Sequence, residues 1–393
     1  MADARADVVV VSAVRTAIGS FGGSLKHFSP SQLGSIVVRE AIARSNLAAE
    51  RIGHLVCGHV IHTEARDMYL SRAIALDSGL SKESSALTLN RLCGSGLQAI
   101  ITGANAIQLG DTEAAVGCGV ESMSRGGYLV PSARFGARMG DVQMVDMMAG
   151  ALTDPFSPIP MGITAENVAE KFGIDRDAQD AFALESHRRA VAAIDAGHFK
   201  SQIVPVEMGQ SGVFDTDEHP RRNATLHALT KLKPAFKPDG SVTAGNSAGI
   251  NDAAGAVVLM NAEAAVRAGI KPLARLVSYG VAGVEPGLMG TGPIPASQLA
   301  LQRAGLKAAD LDVIESNEAF AAQAICVSRG LELDPAKVNP NGGAVALGHA
   351  LAATGAVLTV KCIYELQRTQ KRYGLVTMCI GGGQGIAAVF ERL

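Results

Sequence analysis

The stretch Ala86-Leu87-Thr88-Leu89-Asn90-Arg91-Leu92-Cys93-Gly94-Ser95-Gly96-Leu97 passes from a short apolar strand, through a glycine-bearing turn, into a helix that runs to about Leu109. A strand handed to a helix across so few residues is the repeating unit of α/β proteins. The unit recurs outward from this point. Residues 114–118 read as the next strand, and 8–12, continuous and β-branched, as a strand covered on both faces. Ser29-Pro30 opens a helix that places Leu33, Ile36, Val37 and Ile42 on one stripe. Beyond residue 270, strands over 274–277, 313–314 and 375–378 alternate with helices over 295–304 and 318–331. The alternation predicts a mostly parallel sheet with helices on both sides.

The two ends of this alternation echo each other. In the first, a glycine-rich turn carries Cys93 into a helix. In the second, Asn339-Pro340-Asn341-Gly342-Gly343 leads to Gly348-His349 and a helix reaching about Leu366. Each then closes on a strand with a cysteine near glycine, Cys118-Gly119 and Cys379-Ile380-Gly381. The correspondence predicts a duplicated unit, two similar α/β halves. Between them residues 122–248 are richer in charge, Pro and Met, with helices over 164–172 and 176–196. They read as an inserted α-rich loop domain, the kind of excursion that builds binding surfaces. The chain divides accordingly into a first half (1–121 and 249–271), the loop domain (122–248) and a second half (272–393).

Composition limits the partners. A hydrophobic share of 48% against 18% charged residues describes a chain that buries a core. A net charge of −2 favours neither nucleic acid nor an anionic membrane, so an anionic ligand has to be held by local groups. No apolar run approaches a membrane span or a signal-peptide core, and the cytoplasm is the expected location. The six cysteines form no CxxC pair, and His59 and His62 lack further ligands nearby, so no metal site is expected.

Cys93 is the candidate nucleophile. At the N-terminal end of a helix its thiol faces free backbone N–H groups, which predicts a pKa below the usual value of about 8.5. Flanking Gly94 and Gly96 are expected to let a substrate carbonyl approach the backbone. The alternative is a small buried apolar residue. His349 is the natural base for such a thiol, or else a helix cap. Cys379, before Gly381-Gly382-Gly383, suits redox chemistry, metal ligation or proton transfer, and its local sequence leaves all three open. Asn317-Glu318 opens a helix and is at least a cap.

Taken together these segments resemble the thiolase family nearly end to end, and within it the bacterial biosynthetic β-ketothiolases. The resemblance rests on residues 90–97, Gly119-Val120-Glu121-Ser122-Met123-Ser124, Thr243-Ala244-Gly245-Asn246, Asn317-Glu318-Ala319-Phe320, Asn341-Gly342-Gly343 with Gly348-His349, and residues 379–383. It implies layered α-β-α-β-α packing and acyl transfer between CoA thioesters, with coenzyme A thioesters as substrates and no separate cofactor. In that reading Cys93 takes the acyl group and His349 activates it. Cys379 moves the proton at the substrate α-carbon or on the CoA sulfur. Asn317 holds a water that, with His349, binds the thioester oxygen, and the N–H groups of Cys93 and Gly381 bind the acyl-enzyme oxygen. CoA contacts are implied at Met161, Arg221, Ala235, Phe236, Ala244, Ser247, Ala248 and Phe320. A homotetramer is implied as well, with residues 66–69 reaching toward an interface.

The chain departs from the family pattern at three places. Gly245-Asn246-Ser247-Ala248-Gly249 replaces the usual Gly-Asn-Ala-Ser-Gly, which removes the hydroxyl at 248 and leaves Ser247 beside it. Pro160 stands where a histidine is frequent, and Ala350-Leu351-Ala352 replaces Pro-Ile-Gly. Three other readings stay open at this level: a decarboxylating ketoacyl synthase, a non-catalytic protein on the same fold, and a redox or metal protein.

Overall fold

The computed structural model describes residues 6–393. Its principal elements are β1 (Val8–Thr16), α1 (Pro30–Ser45), β2 (His54–Gly58), α2 (Leu70–Asp77), β3 (Ser85–Leu89), α3 (Ser95–Leu109) and β4 (Ala114–Ser122). After the excursion come β5 (Asn251–Asn261), β6 (Ala274–Gly283), α6 (Pro293–Ala304), β7 (Val313–Ser316), α7 (Ala321–Gly330), α8 (Leu351–Thr369), β8 (Tyr373–Ile380) and β9 (Gln384–Arg392). The excursion contributes α4 (Met161–Phe172) and α5 (Arg176–Asp195). α1 starts as its sequence predicts: Ser29 accepts from Gln32 N, Gln32 Oε1 accepts from Ser29 N at 2.9 Å, and Pro30 occupies the first turn.

Strand order is β7-β8-β9-β6-β1-β5-β4-β2-β3. Read from the β1–β6 junction, the two sides match: β1, β5, β4, β2 against β6, β9, β8, β7. The sheet is mixed, not mostly parallel. Only β2–β3, β2–β4 and β7–β8, with the short Ile203–Val204 beside β1, run parallel; β5 and β9 return antiparallel to both neighbours. β5 escapes the sequence reading because Asp252-Ala253-Ala254-Gly255-Ala256 carries no strand pattern, and β9 because Gly385 and Ala387-Ala388 interrupt its apolar residues Ile386, Val389 and Phe390. The structure shows why β5 is small at its centre. A Cβ on Gly255 would stand 3.1 Å from Ala356 of α8, which packs directly on that strand.

Side-chain alternation sorts the core into layers. Val8 and Val10 join Leu97, Ile100, Val376, Met378, Ile380 and Phe390 in an inner core around α3 and α8. Val9 and Val11 face an outer core with Leu33, Val37 and Val38 of α1, while Leu375 and Val389 face another with Ala296, Ala300 and Val327. The result is helix, sheet, paired central helices, sheet, helix. Gly96 and Gly355 mark where α3 and α8 cross, since a Cβ on either would collide with backbone of the other helix. The N-terminal ends of the two central helices therefore meet, one carrying Cys93 and the other His349.

The excursion is tied back to β1 by a buried charge. The Arg15 guanidinium, fully buried, donates to Asp217 Oδ1 and Oδ2 at 2.7 and 2.9 Å and to Gln202 Oε1 at 2.9 Å. Removing one partner of such a pair strands a buried charge, so Asp217→Ala is expected to cost about 3–5 kcal/mol. Urea unfolding of the variant checks this; a midpoint equal to that of the unsubstituted protein would mean that the pair carries no stability.

Candidate active site

Four loops converge on one cleft of about 890 Å³. The first is the turn between β3 and α3. Leu92 has φ 47°, a left-handed conformation held by its N–H donating to Asn90 Oδ1 at 2.8 Å. Ser95 closes the turn: its Oγ accepts from Arg91 N at 2.8 Å and donates to Leu92 O at 2.7 Å. Cys93 is thereby presented, partly exposed, to the cleft. Gly94 and Gly96 do not open a path for substrate. A Cβ on Gly94 would lie 2.6 Å from Ile380 Cδ1 and one on Gly96 would collide with Ala352 O, so both glycines serve the docking of the second half.

The Cys93 thiol also departs from expectation. Burial pushes its pKa up to about 11, against the opposing effect of the Gly381 N–H and its own N–H. Desolvation outweighs the helix end, and the resting residue is a neutral thiol. Gly381 sits within contact reach of Leu92 and Met161, since a Cβ there would lie 3.4 Å from each. Cys379, at the end of β8, lines the same cleft, and burial, reinforced by Cys93, raises its pKa still further. It keeps its proton at any ordinary pH.

His349 lies between a short helical turn (Ala344–Leu347) and α8. Its N–H donates to Asn251 Oδ1 at 2.9 Å and its Nδ1 lies 2.7 Å from Thr354 Oγ1. Nε2 is buried with no protein partner. Burial lowers the imidazole pKa to about 4, so it is neutral at pH 7 and free to accept a proton. The altered Ala350-Leu351-Ala352 segment still starts a helix. Leu351 adopts φ 22°, and the Ala352 N–H is taken by Glu121 Oε2 at 3.1 Å. Asn317 does not line the cleft. It is fully buried behind it, its N–H donating to Thr377 O at 2.9 Å, and both polar atoms of its side chain lack a protein partner.

All eight residues singled out for CoA line the cleft: Met161, Arg221, Ala235, Phe236, Ala244, Ser247, Ala248 and Phe320. Phe236 and Phe320 pack edge to face with ring centres 6.2 Å apart. Ser247 is no substitute for the missing hydroxyl at 248, because its Oγ donates to Thr243 O at 2.7 Å. Sequence reasoning missed His187, His219 and Leu351, which also line the cleft. His187 fixes the Arg221 loop, its Nδ1 accepting from Arg221 N at 3.1 Å. His187 and His219 carry no local pattern, since one reaches the cleft from α5 and the other from a loop, whereas Leu351 follows His349 by two residues within the altered 350–352 segment. His59 stacks on His62 with ring centres 5.2 Å apart, and its Nδ1 lies 3.2 Å from Val120 O. No group of three or more ligand side chains suited to a metal occurs among the described residues.

Residues 8–263 match the family description "Thiolase, N-terminal domain" and 270–392 match "Thiolase, C-terminal domain". The chain is 63% identical over 391 residues to the beta-ketothiolase BktB of Cupriavidus necator, covering 98% of this chain and 99% of that protein. It is 48% identical over 390 residues to an acetyl-CoA acetyltransferase of Escherichia coli, with 98% and 99% covered. Among solved structures it superposes on human mitochondrial 3-ketoacyl-CoA thiolase in complex with CoA. The TM-score there is 0.97 at 42% identity, over 99% of this chain and 98% of that one.

Proposed function

The chain belongs to the thiolase family and is an acyltransferase, and we propose that it interconverts 3-ketoacyl-CoA plus CoA with acyl-CoA plus acetyl-CoA through an acyl-Cys93 intermediate. In the thiolysis direction His349 Nε2 takes the Cys93 proton as sulfur attacks the 3-keto carbon. The C2–C3 bond then breaks, and the electron pair leaves on the acetyl-CoA enolate. Cys379 donates a proton to C2 of the enolate, which releases acetyl-CoA. The CoA thiol, deprotonated by Cys379, attacks the Cys93 thioester, expels the sulfur, which regains its proton from His349, and leaves as acyl-CoA. Condensation reverses every step.

The observation that carries this reading is the convergence of Cys93, His349, Cys379 and Gly381 from both halves on the cleft that also holds every CoA candidate. The N–H groups of Cys93 and Gly381 would bind the acyl-enzyme oxygen. The unpartnered His349 Nε2 and Asn317 amide, the latter through a water, would receive the thioester oxygen of the incoming acyl-CoA. Donors of this kind contribute about 3 kcal/mol each when preorganised. Arg221 would meet a phosphate of CoA, and nothing in the scheme calls for a further cofactor. A homotetramer fits the exposed apolar side chains Met68, Tyr69, Phe135 and Met139. No helix among the described residues is long and apolar enough to cross a membrane.

Incubation with acetyl-CoA alone tests the assignment. Free CoA and acetoacetyl-CoA are expected without a malonyl donor, and a strict requirement for malonyl-CoA would move the protein to the decarboxylating synthases. A pH profile tests the base. With His349 lowered to about 4 and Cys93 raised to about 11, kcat/KM for thiolysis should stay level from about pH 7.5 down to about pH 5, whereas a base of ordinary histidine pKa would halve the rate near pH 6.5.

A further inference from the structure

Glu318 follows Asn317, is 2% exposed, and collects donors from three separate parts of the chain. Its Oε2 accepts from Ser186 Oγ at 2.7 Å and from Val345 N at 3.1 Å, and its Oε1 from Asn339 Nδ2 at 2.8 Å. Each donor leads to the site. Val345 lines the cleft four residues before His349. Ser186, on α5, precedes the histidine that holds the Arg221 loop, and its Oγ also accepts from Gly343 N at 3.2 Å. Asn339 clasps the end of β7, accepting from Ser316 N at 2.9 Å and donating to Ser316 O at 2.8 Å. Gly343 is required beside the carboxylate, because a Cβ there would collide with Glu318 Cδ. On its other flank the same segment is strung to the CoA side: Ala248 N donates to Ala319 O at 3.0 Å and Ala321 N to Asn246 O at 2.8 Å.

We propose that Glu318 is a positioning residue, whose carboxylate fixes the spacing between the CoA-holding segment 244–248, the unpartnered amide of Asn317 and the turn that presents His349. It touches no substrate. It deepens the reading above and rests on Asn317 and His349 receiving the thioester oxygen. A carboxylate accepts all three donors at once. A glutamine turns an NH2 toward one of them and leaves a donor facing a donor.

The test compares Glu318→Gln and Ser186→Ala with the unsubstituted protein in acetoacetyl-CoA thiolysis, with thermal melting recorded alongside. Misplacement by a fraction of an ångström to one ångström predicts a loss in kcat of about 100-fold for Glu318→Gln. Ser186→Ala, which removes one donor of three, should lose about fivefold. The KM for CoA should stay within about threefold in both, because the cleft lining is intact. A role confined to stability would lower the melting temperature and leave kcat per folded site unchanged, and that result overturns the proposal. If Glu318→Gln does not fold, Ser186→Ala decides alone, and kcat within twofold of the parent overturns it. An inactive unsubstituted protein sinks the thiolase reading together with this one; active protein with equally active variants sinks only the role of Glu318.

Discussion

Cys93→Ala should remove acetoacetyl-CoA thiolysis almost completely, lowering kcat by about a million-fold, as loss of a nucleophile does when base and oxyanion donors remain in place. No other group can take over. Cys379 lines the same cleft, but its thiol is more deeply buried and its pKa lies higher still than that of Cys93. The remaining cysteines, Cys57, Cys118, Cys326 and Cys362, are buried and absent from the cleft lining. The variant should fold, because Cys93 is only partly buried and the turn around it is held by Asn90 and Ser95. Mass spectrometry after incubation with acetyl-CoA gives the matching signal, an acetyl group on the Cys93 peptide of the parent and none in the variant. Retention of even one per cent of the parent rate by correctly folded Cys93→Ala would place the acyl group elsewhere and end the proposed mechanism.

The site was more legible than the sheet. Cys93, His349 and Cys379 announce themselves because each sits within two residues of glycine at a strand or helix end, where a side chain reaches a cleft without being shielded by its own element. β5 and β9 stayed hidden because small residues stand where helices press on them, α8 at Gly255 of β5 and the start of α6 at Gly385 of β9, and small residues carry no strand signature. The sign of the Cys93 pKa shift was misread for a related reason. A helix N-terminus is visible in sequence, whereas the desolvation that overrides it comes from burial in the fold, where Cys93 packs against a cluster of Ile61 and Met123 from the first part of the chain and Leu351 from the second half. Likewise the bond from Ser247 to Thr243 O depends on a tight turn that cannot be told from an open loop by composition. The glycines of the Cys93 loop suggest room for substrate in sequence, whereas in the fold Gly94 makes room for Ile380 of β8 and Gly96 for α8. In a duplicated fold the closest backbone approaches lie at the crossing of the equivalent helices, here α3 and α8, so glycine there reports packing first.

Those shared packing constraints set the terms for the second large effect. His349→Ala should lower kcat for thiolysis by about a thousand-fold, within the range expected when a general base is removed. Two functions disappear together. Cys93, pushed up to about 11, cannot shed its proton at pH 7 without a partner, and the thioester oxygen loses one of its two polar contacts. Acetylation of Cys93 by acetyl-CoA should slow in the same proportion, since it needs the same proton transfer. Stability should change less. Of the two hydrogen bonds made by His349, the one from its backbone N–H to Asn251 survives the substitution. Only the contact of Nδ1 with Thr354 is lost. Added imidazole offers a direct check, because the cleft is roomy enough to admit a small ring at the vacated side chain. Partial recovery of rate with imidazole, increasing with the fraction in the neutral form, fits a base at this position. A variant that loses melting temperature but keeps its rate per folded molecule would make His349 a helix-start residue, and the proton of Cys93 would then need another acceptor.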